Sequence, residues 1–433
     1  MRQILVIAGL IWWSCFPTVL GAETGNAALS AGTAWTDITP PLGCPLWGYG
    51  SRKEGADGVL DPLLAKVLVL QSTQTSIAFV SWDVCEFQLP RLRDRLGELG
   101  IDRLLLLNSH THYGPDLFRD DFPSKEKPWI SVIEDRIFNA IRKAKQNMFP
   151  AYIAAGEGSI QLGYNRLRRD PDGLATTIFQ NNPHIPYGPV DPNVGVIRIT
   201  DNAGAIRAVF VRYACHPVTL GSRCLKISTD YVGPMYRKVE KELGGSVQCL
   251  FVQGGAGDIN PLYQAVGKHE EEDLALPTIM GELLANEVLG VIKRMDNVPG
   301  RSDELLAASE VLEFKHRWEK DKTLRFGTTS ILINGEIGVV TLPGEPFHQF
   351  QIDVREKAAL PHAFMFGYCD DSYQDWPQWY LPDIQSAARG GYGASDSTIA
   401  EVGTGERLVN QGLIQLYTLR GMLHPEPQPG RRP

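Results

Sequence analysis

Apolar residues in this chain recur in short runs that polar turn residues interrupt. Paired runs of this kind, rich in β-branched and aliphatic residues, predict β-hairpins. The predicted hairpins comprise runs 63–70 and 76–85, runs 194–200 and 205–215, and the segment 330–342. The last has the strongest turn signal, because Asn334-Gly335 suits a two-residue turn with positive φ angles. Single apolar runs at 101–107 and 247–252 predict two further buried strands.

Other segments repeat apolar residues at a spacing of three or four, which is typical of an amphipathic helix. The predicted helices are 91–99, 130–148, 231–243 and 279–295. Strand, polar loop and helix follow one another repeatedly along the chain. This order indicates an α/β or mixed α+β domain whose functional site lies at strand ends.

The two termini differ from the rest of the chain. A basic residue precedes the apolar run 4–13 and small residues follow it, as in a secretory signal peptide, so we expect removal of residues 1–22. The alternative is an uncleaved anchor. The proline-rich segment 425–433 predicts a disordered tail, which leaves one large domain at 23–424. We expect no transmembrane segment after signal removal, and a secreted or periplasmic protein.

Composition narrows the possible partners. The formal net charge is −8, and no basic cluster precedes Arg431 and Arg432. A nucleic-acid partner is therefore not expected, and a small-molecule or lipid substrate remains. No oligomeric state is predicted.

Cysteine spacing argues against a cysteine zinc site. Of seven cysteines, Cys15 lies in the predicted signal and none of the others forms a CxxC pair. In an oxidising compartment, Cys215 and Cys224 are the local candidates for a disulfide.

A pair of histidines follows the predicted strand 101–107. His110 and His112 are separated by one residue, so in extended backbone they project to one face, roughly 7 Å apart. Both could bind one metal ion, or one could bind while the other reaches a metal-bound water. The alternative is two loop histidines with hydrogen-bonding roles.

Three other residues are candidate metal ligands, and two of them follow predicted strands as the histidine pair does. His216 follows the second predicted hairpin, and Glu345 follows the third. An acid near a helix N-terminus, without metal, is the alternative for Glu345. Tyr380 ends the aromatic stretch 373–380, where buried packing is the alternative. Two histidines and a carboxylate with an open position make a catalytic zinc site, which favours hydrolysis.

Segments along most of the chain resemble the catalytic N-terminal domain of the neutral/alkaline, non-lysosomal ceramidases. The similar segments are 108–115, Gly163-Tyr164-Asn165-Arg166, Ala214-Cys215-His216-Pro217, 228–233, 254–261, Leu342-Pro343-Gly344-Glu345, Trp379-Tyr380-Leu381-Pro382 and Tyr392-Gly393-Ala394-Ser395. The resemblance implies one Zn²⁺ held by four residues, which here are His110, His216, Glu345 and Tyr380. Tyr380 is assigned by counting back from Tyr392.

The resemblance also implies catalytic roles. His112 and Arg166 would serve catalysis instead of metal binding, so the histidine pair divides into a ligand and an acid/base. The family's serine is replaced in Gly257-Asp258-Ile259-Asn260-Pro261 by Asn260. An amide cannot act as a nucleophile, but it can donate a hydrogen bond to substrate or to an oxyanion, which makes Asn260 a third catalytic candidate. Asp230 and Asp258 are candidates for supporting these residues or for shaping loops.

The resulting hypothesis is a zinc-dependent amidohydrolase that cleaves N-acylsphingosine or a similar N-acyl substrate with a metal-activated water. One alternative is a zinc hydrolase that acts on a non-ceramide amide or on an ester. Another is a non-catalytic binding protein of the same fold. Ceramidases also carry a C-terminal immunoglobulin-like domain, which we do not expect in a chain of 433 residues.

Overall fold

The computed structural model describes residues 29–265, 271–295, 304–370 and 379–423. The predicted signal 1–22, the predicted tail 425–433 and residues 373–378 lie outside these ranges. The α-helices are α1 Pro90–Asp94, α2 Trp129–Gln146, α3 Val232–Glu242, α4 Leu276–Arg294, α5 His348–Lys357, α6 Ile384–Arg389 and α7 Thr404–Leu419.

The strands, in chain order, are β1 Ser30–Asp37, β2 Gly58–Val59, β3 Leu64–Gln71, β4 Ser76–Trp82, β5 Arg103–Asn108, β6 Phe149–Ser159, β7 Gly163–Asn165, β8 Leu167–Arg169, β9 Ala175–Thr177, β10 Asn193–Asp201, β11 Ile206–Tyr213, β12 Lys226–Ile227, β13 Gln248–Gln253, β14 Ile259–Pro261, β15 Leu305–Lys315, β16 Thr323–Ile333, β17 Ile337–Thr341, β18 Glu345–Pro346, β19 His362–Phe366, β20 Cys369–Asp370 and β21 Tyr380–Leu381.

Two large sheets dominate the described part of the chain. The first has nine strands in the order β13-β11-β10-β6-β1-β3-β4-β5-β20, and the second has four in the order β15-β16-β17-β19. Most neighbours are antiparallel, but β11 with β13, β4 with β5, and β17 with β19 are parallel. The mixed α/β fold class predicted from the sequence is confirmed.

The two sheets pack face to face, and helices cover both outer surfaces. Strand β4 shows the arrangement, because Ile77 and Phe79 face the second sheet whereas Ala78 and Val80 face the opposite way. Helices α1 and α2 cover one half of the outer face of the nine-stranded sheet, and α3 and α4 cover the other half. Helices α5 and α7 cover the four-stranded sheet. The result is four layers in the order helix, sheet, sheet, helix.

The three predicted hairpins are confirmed as β3/β4, β10/β11 and β16/β17, all antiparallel. Asn334 and Gly335 both have positive φ angles, 56° and 69°, as their turn type requires. Three predicted helices are present as α2, α3 and α4. The fourth, 91–99, is wrong as one helix, because α1 ends at Asp94 and a 3₁₀ turn, Leu96–Leu99, follows.

The expectation of no transmembrane segment after signal removal stays a prediction, because one later helix is long and apolar enough to cross a membrane by length and composition alone. Within the described ranges, the stretch Glu272–Arg294 has sufficient length and hydropathy. This stretch contains α4, whose Met280, Leu284 and Val288 are buried in the core beside α3. Helices in the core of soluble proteins often have the same length and hydropathy, so the composition of this stretch is weak evidence for a membrane span.

The predicted disulfide is also wrong. All six cysteines of the described part are buried free thiols. Cys215 lies in the core beneath α3 and α4, whereas Cys224 packs with Tyr113 and Leu220. Separate packing clusters keep the two thiols apart.

Candidate metal centre and substrate cleft

The carboxyl ends of β4 and β5 place the first histidine. These strands are parallel with Trp82 opposite Asn108, so the segments that follow them lie side by side. The amide of Ser109 donates to Trp82 O at 3.0 Å, and that of His110 donates to Val84 O at 2.9 Å. His110 has a φ of 68°, an uncommon value for a non-glycine residue that is often found at functional sites.

His216 and Glu345 come from other parts of the fold. His216 follows β11 of the nine-stranded sheet, and its amide donates to Ile259 O at 3.0 Å. Glu345 follows β17 of the four-stranded sheet and pairs through β18 with Tyr380 of β21. The site therefore lies where the ends of both sheets meet.

The side chains of these residues meet at one carboxylate oxygen. Glu345 Oε2 lies 3.0 Å from His216 Nε2 and 3.3 Å from His110 Nε2. All three side chains are buried, and their potential ligand atoms lie within 4.8 Å of one another. The structure thus brings together three of the four residues predicted to bind metal.

The hydrogen bonds of the other ring nitrogens assign the histidine tautomers. His110 Nδ1 donates to Cys85 O at 2.9 Å, and His216 Nδ1 donates to Ala256 O at 2.7 Å. In a neutral imidazole the Nε2 atom then carries a lone pair. Metal-binding histidines are commonly oriented by a carbonyl in this way.

Electrostatics favours a cation among these three atoms. Burial lowers the pKa of the His216 imidazole to about 4, so its Nε2 has no proton to donate at neutral pH. Burial alone would raise the pKa of the Glu345 carboxyl, but the adjacent His110 and His216 hold it well below its usual range. One carboxylate oxygen thus lies at hydrogen-bond distance from two imidazole nitrogens, and this arrangement needs positive charge between them, from protons or from a bound cation. A divalent cation bound by two nitrogens and an oxygen fits this arrangement.

His112 lies beside this cluster with different partners. Its Nε2 is 3.2 Å from His110 Nε2, and its Nδ1 is buried without a hydrogen bond in the described structure. The ring packs edge-on against Tyr49 at 4.9 Å between centroids, and Arg52 donates to the His112 carbonyl. Burial, then His110 and His216, lower the pKa of the His112 imidazole well below its usual range.

Two tyrosines lie near Glu345, of which the sequence suggested only one. The ring of Tyr380 is 6.5 Å from that of His216, and its hydroxyl interacts with Arg166. Tyr368 Oη lies 3.4 Å from Glu345 Oε2. Sequence analysis missed Tyr368 because β19, whose end places it, was not predicted.

Arg166 and Asn260 form a polar pair on the cleft wall. Arg166 donates through Nη2 to Gly257 O at 2.5 Å and through Nη1 to Asn260 Oδ1 at 3.4 Å. Its guanidinium carbon is 5.0 Å from the ring centres of both Tyr380 and Tyr392. Burial opposes the charge, but the surrounding Tyr380 and Glu345 outweigh it and raise the pKa of Arg166.

The side chains of the two aspartates contact residues other than the predicted metal ligands. Asp258 accepts from His348 Nδ1 at 2.6 Å and from Asn165 Nδ2 at 2.7 Å. Asp230 accepts from Thr219 Oγ1 at 2.8 Å. These contacts favour the loop-shaping role.

A cleft of about 760 Å³ opens onto the cluster, which is within the usual size of ligand sites. The residues that line it include all seven predicted site residues, namely His110, His112, Arg166, His216, Asn260, Glu345 and Tyr380. Aromatic side chains of Trp47, Phe179 and Trp379 form part of the wall. Glu86 also lines the cleft, and no sequence pattern had singled it out.

The family described as neutral/alkaline non-lysosomal ceramidase, N-terminal, matches residues 29–273. The chain belongs to this family. Its sequence-based resemblance is confirmed, and family membership supports a ceramidase-like hydrolase.

Solved ceramidases share the fold of this family member. The crystal structure of neutral ceramidase from Pseudomonas aeruginosa has a TM-score of 0.73 at 15% identity, covering 92% of this chain and 76% of that one. A structure described as ceramidase complexed with C2 has a TM-score of 0.74 at 14% identity, covering 93% and 76%. No curated protein sequence matches the chain.

Proposed function

We propose that this ceramidase-like hydrolase cleaves the amide bond of N-acylsphingosine or a similar N-acyl lipid and requires one Zn²⁺. The observation that carries the proposal is the convergence of two histidine Nε2 atoms on one oxygen of Glu345 at the base of a cleft. Family membership supports the choice of a lipid amide.

His110, His216 and Glu345 would hold the ion, with Tyr380 as the fourth ligand implied by the family resemblance. When bound, the ion would lower the pKa of a water molecule and polarise the substrate carbonyl. Two nitrogen ligands and a carboxylate with an open position are typical of catalytic zinc.

His112 supplies the proton transfers in this proposal. Its depressed pKa keeps the ring neutral, so Nε2 can accept a proton from the nucleophilic water. The same atom can then give the proton to the leaving nitrogen. The 3.2 Å separation between its Nε2 and that of His110 keeps this atom at the cluster.

Arg166 and Asn260 orient the substrate and stabilise developing negative charge. Arg166 is held by Gly257 O and by the aromatic rings around it, so its charge is fixed in position. Because Asn260 Oδ1 accepts from Arg166, its Nδ2 group is the donor; one of its two protons is shared with the Tyr164 hydroxyl, and we assign the other to the substrate. A donor preorganised in this way substitutes for part of the solvent around an oxyanion.

Apolar parts of the cleft suit an acyl chain. Phe179 is 49% exposed and Trp379 is 37% exposed, and both line the cleft. These aromatic rings lie beside the polar metal site, so the acyl chain of the substrate can pack against the cleft wall while its amide group reaches His110, His216 and Glu345.

The test compares cleavage of a fluorescent ceramide with cleavage of the matched ester and of short-chain amides, alongside zinc analysis of the purified protein. His110→Gln and Glu345→Gln should lose the metal and the activity. His362→Gln is the matched control, because that histidine pairs with Glu157 away from the cleft. Ester cleavage without ceramide cleavage would support the alternative substrate class. Protein without stoichiometric zinc, unchanged by the substitutions, would reject the metal mechanism.

We also infer that the chain is exported and that residues 23–424 form one catalytic unit. The order of charged, apolar and small residues over 1–22 supports export. N-terminal sequencing of the protein recovered outside the cytoplasm should begin near residue 23, and an intact Met1 there would contradict cleavage.

A further inference from the structure

Tyr368 has contacts that neither the sequence motifs nor the proposed reaction uses. It lies between β19 and β20, and its side chain is buried. Its hydroxyl is 3.4 Å from Glu345 Oε2, and its ring centre is 4.5 Å from that of His110. It therefore contacts two of the residues that would hold the ion.

We propose that Tyr368 is a positioning residue of the metal site, whose hydroxyl fixes the orientation of the Glu345 carboxylate. This inference rests on the proposed metal-binding function. It adds a residue outside the predicted ligand set, and it concerns metal affinity directly.

The direction of the hydrogen bond follows from the partners. The Glu345 carboxylate can only accept, so the Tyr368 hydroxyl must donate. An ordinary phenol is protonated at neutral pH, so the Tyr368 hydroxyl has a proton to donate. A donor to a ligating carboxylate limits its rotation and so keeps Oε2 directed at the histidines.

The backbone fixes Tyr368 to the loop that carries the histidines. Tyr368 has a φ of 52°, a left-handed conformation that is uncommon for a bulky residue. Asn108 stabilises it, because its Nδ2 and backbone N both donate to Tyr368 O, at 2.7 and 3.3 Å. Asn108 precedes His110 by two residues. Tyr368 thus links the His110 loop from the nine-stranded sheet to Glu345 from the other sheet.

The experiment measures metal affinity by chelator competition and records the visible spectrum of the Co²⁺-substituted protein. Tyr368→Phe keeps the ring against His110 and removes the hydroxyl. We expect about 10-fold weaker metal binding, in the range found for partners of metal ligands, with a Co²⁺ spectrum that still reports the same ligands. Thermal unfolding checks that the variant is folded.

Tyr236→Phe is the matched control. Tyr236 is a buried tyrosine whose hydroxyl contacts Ser81 and the amide of Phe251, away from the cleft. A metal affinity for Tyr368→Phe equal to that of the wild type or of this control would overturn the inference. Failure of the wild-type protein itself to bind metal would instead reject the proposed function.

Discussion

Among single residues, His112 differs from His110 in the partners of its ring nitrogens. His110 Nδ1 donates to a carbonyl, whereas the buried His112 Nδ1 has no hydrogen bond in the described structure. A ligand needs a fixed tautomer, but a group that transfers protons must visit both states. This difference in hydrogen bonding is the structural reason to propose His110 as a metal ligand and His112 as the group that transfers protons.

Substitution of His112 tests that separation. His112→Gln should lower kcat by about 10² to 10⁴, the usual contribution of a general acid/base, while the zinc content stays at the wild-type value. Steady-state kinetics and metal analysis of the same preparation provide the check. Loss of zinc together with activity would instead make His112 a ligand, as the bare histidine spacing also allowed.

Glu86 places an ionisable carboxyl group at the cleft wall. Its carboxylate has no hydrogen bond or ion pair among the described residues. Burial and then Glu345 raise the pKa of the Glu86 carboxyl well above its ordinary value of 4.5. Between about pH 4.5 and the raised pKa, Glu86 therefore binds more protons in the folded metal-free protein than in the unfolded chain, and its own contribution to stability falls as the pH rises.

Glu86→Gln should remove this pH-dependent cost. The metal-free variant should unfold at a higher temperature than the metal-free wild type, and the difference should increase as the pH rises above about 5. Differential scanning calorimetry across this range measures the effect. Glu54→Gln is the control, since Glu54 is an exposed acid that lines the same cleft. If the difference in unfolding temperature between Glu86→Gln and the wild type stays constant with pH, the pKa of Glu86 is not raised in the folded protein.

The residues found and missed by sequence reasoning differ in their chain context. His110, His216 and Glu345 follow predicted strands or hairpins, so position and chemistry pointed to them together. Glu86 and Tyr368 occur outside any motif, and only the pairing of β4 with β5 and of β5 with β20 brings them to the cluster. Long-range pairing of this kind has no local signature.

Among elements, the loop 43–57 acts on the site through one glycine. Gly48 has a φ of 102°, and a Cβ there would lie 2.4 Å from His112 Cγ. Real carbon atoms do not approach so closely, so the His112 ring or the loop must shift. The loop thus sets the orientation of the residue proposed to move protons.

Gly48→Ala and Gly43→Ala form a matched pair. Both glycines have positive φ, so both variants should lose roughly 1 kcal/mol of stability, but a Cβ at Gly43 would meet nothing within 4 Å. Only Gly48→Ala should reduce kcat, by up to about 10²-fold, because misplacement of a reacting group by 1 Å has that scale. Equal kcat values for the two variants would mean that loop 43–57 does not position His112.

Strands and helices were predicted correctly where the local sequence combined a clear apolar pattern with recognisable turn residues or a helical spacing. Hairpins β3/β4 and β16/β17 combine continuous apolar runs with recognisable turns, and α2 has a clear apolar stripe. Strand β6 was missed because its sequence, FPAYIAAGEGS, is rich in small residues and has few large apolar ones. Its pairing with β10 and β1 holds it in the sheet, and tertiary pairing overrides weak propensity.

For the whole molecule, the layers determine how metal binding couples to stability. His110 and His216 follow strands of the nine-stranded sheet, and Glu345 follows the four-stranded sheet. A bound ion would therefore join the ends of two sheets that otherwise meet through apolar packing. Ligand binding to the folded state alone stabilises it by RT ln(1 + [L]/Kd).

Metal removal should lower the Tm without unfolding the protein at room temperature, because the core between the sheets does not depend on the ion. At a free zinc concentration of 1,000 Kd the loss amounts to about 4 kcal/mol. Far-UV circular dichroism should be unchanged by chelation, while calorimetry shows the lower Tm and its recovery with added zinc. Glu345→Gln should melt near the metal-free wild type and respond weakly to zinc. A Tm that is the same with and without zinc would show that zinc does not bind the folded protein in preference to the unfolded chain, and it would contradict the proposed metal site.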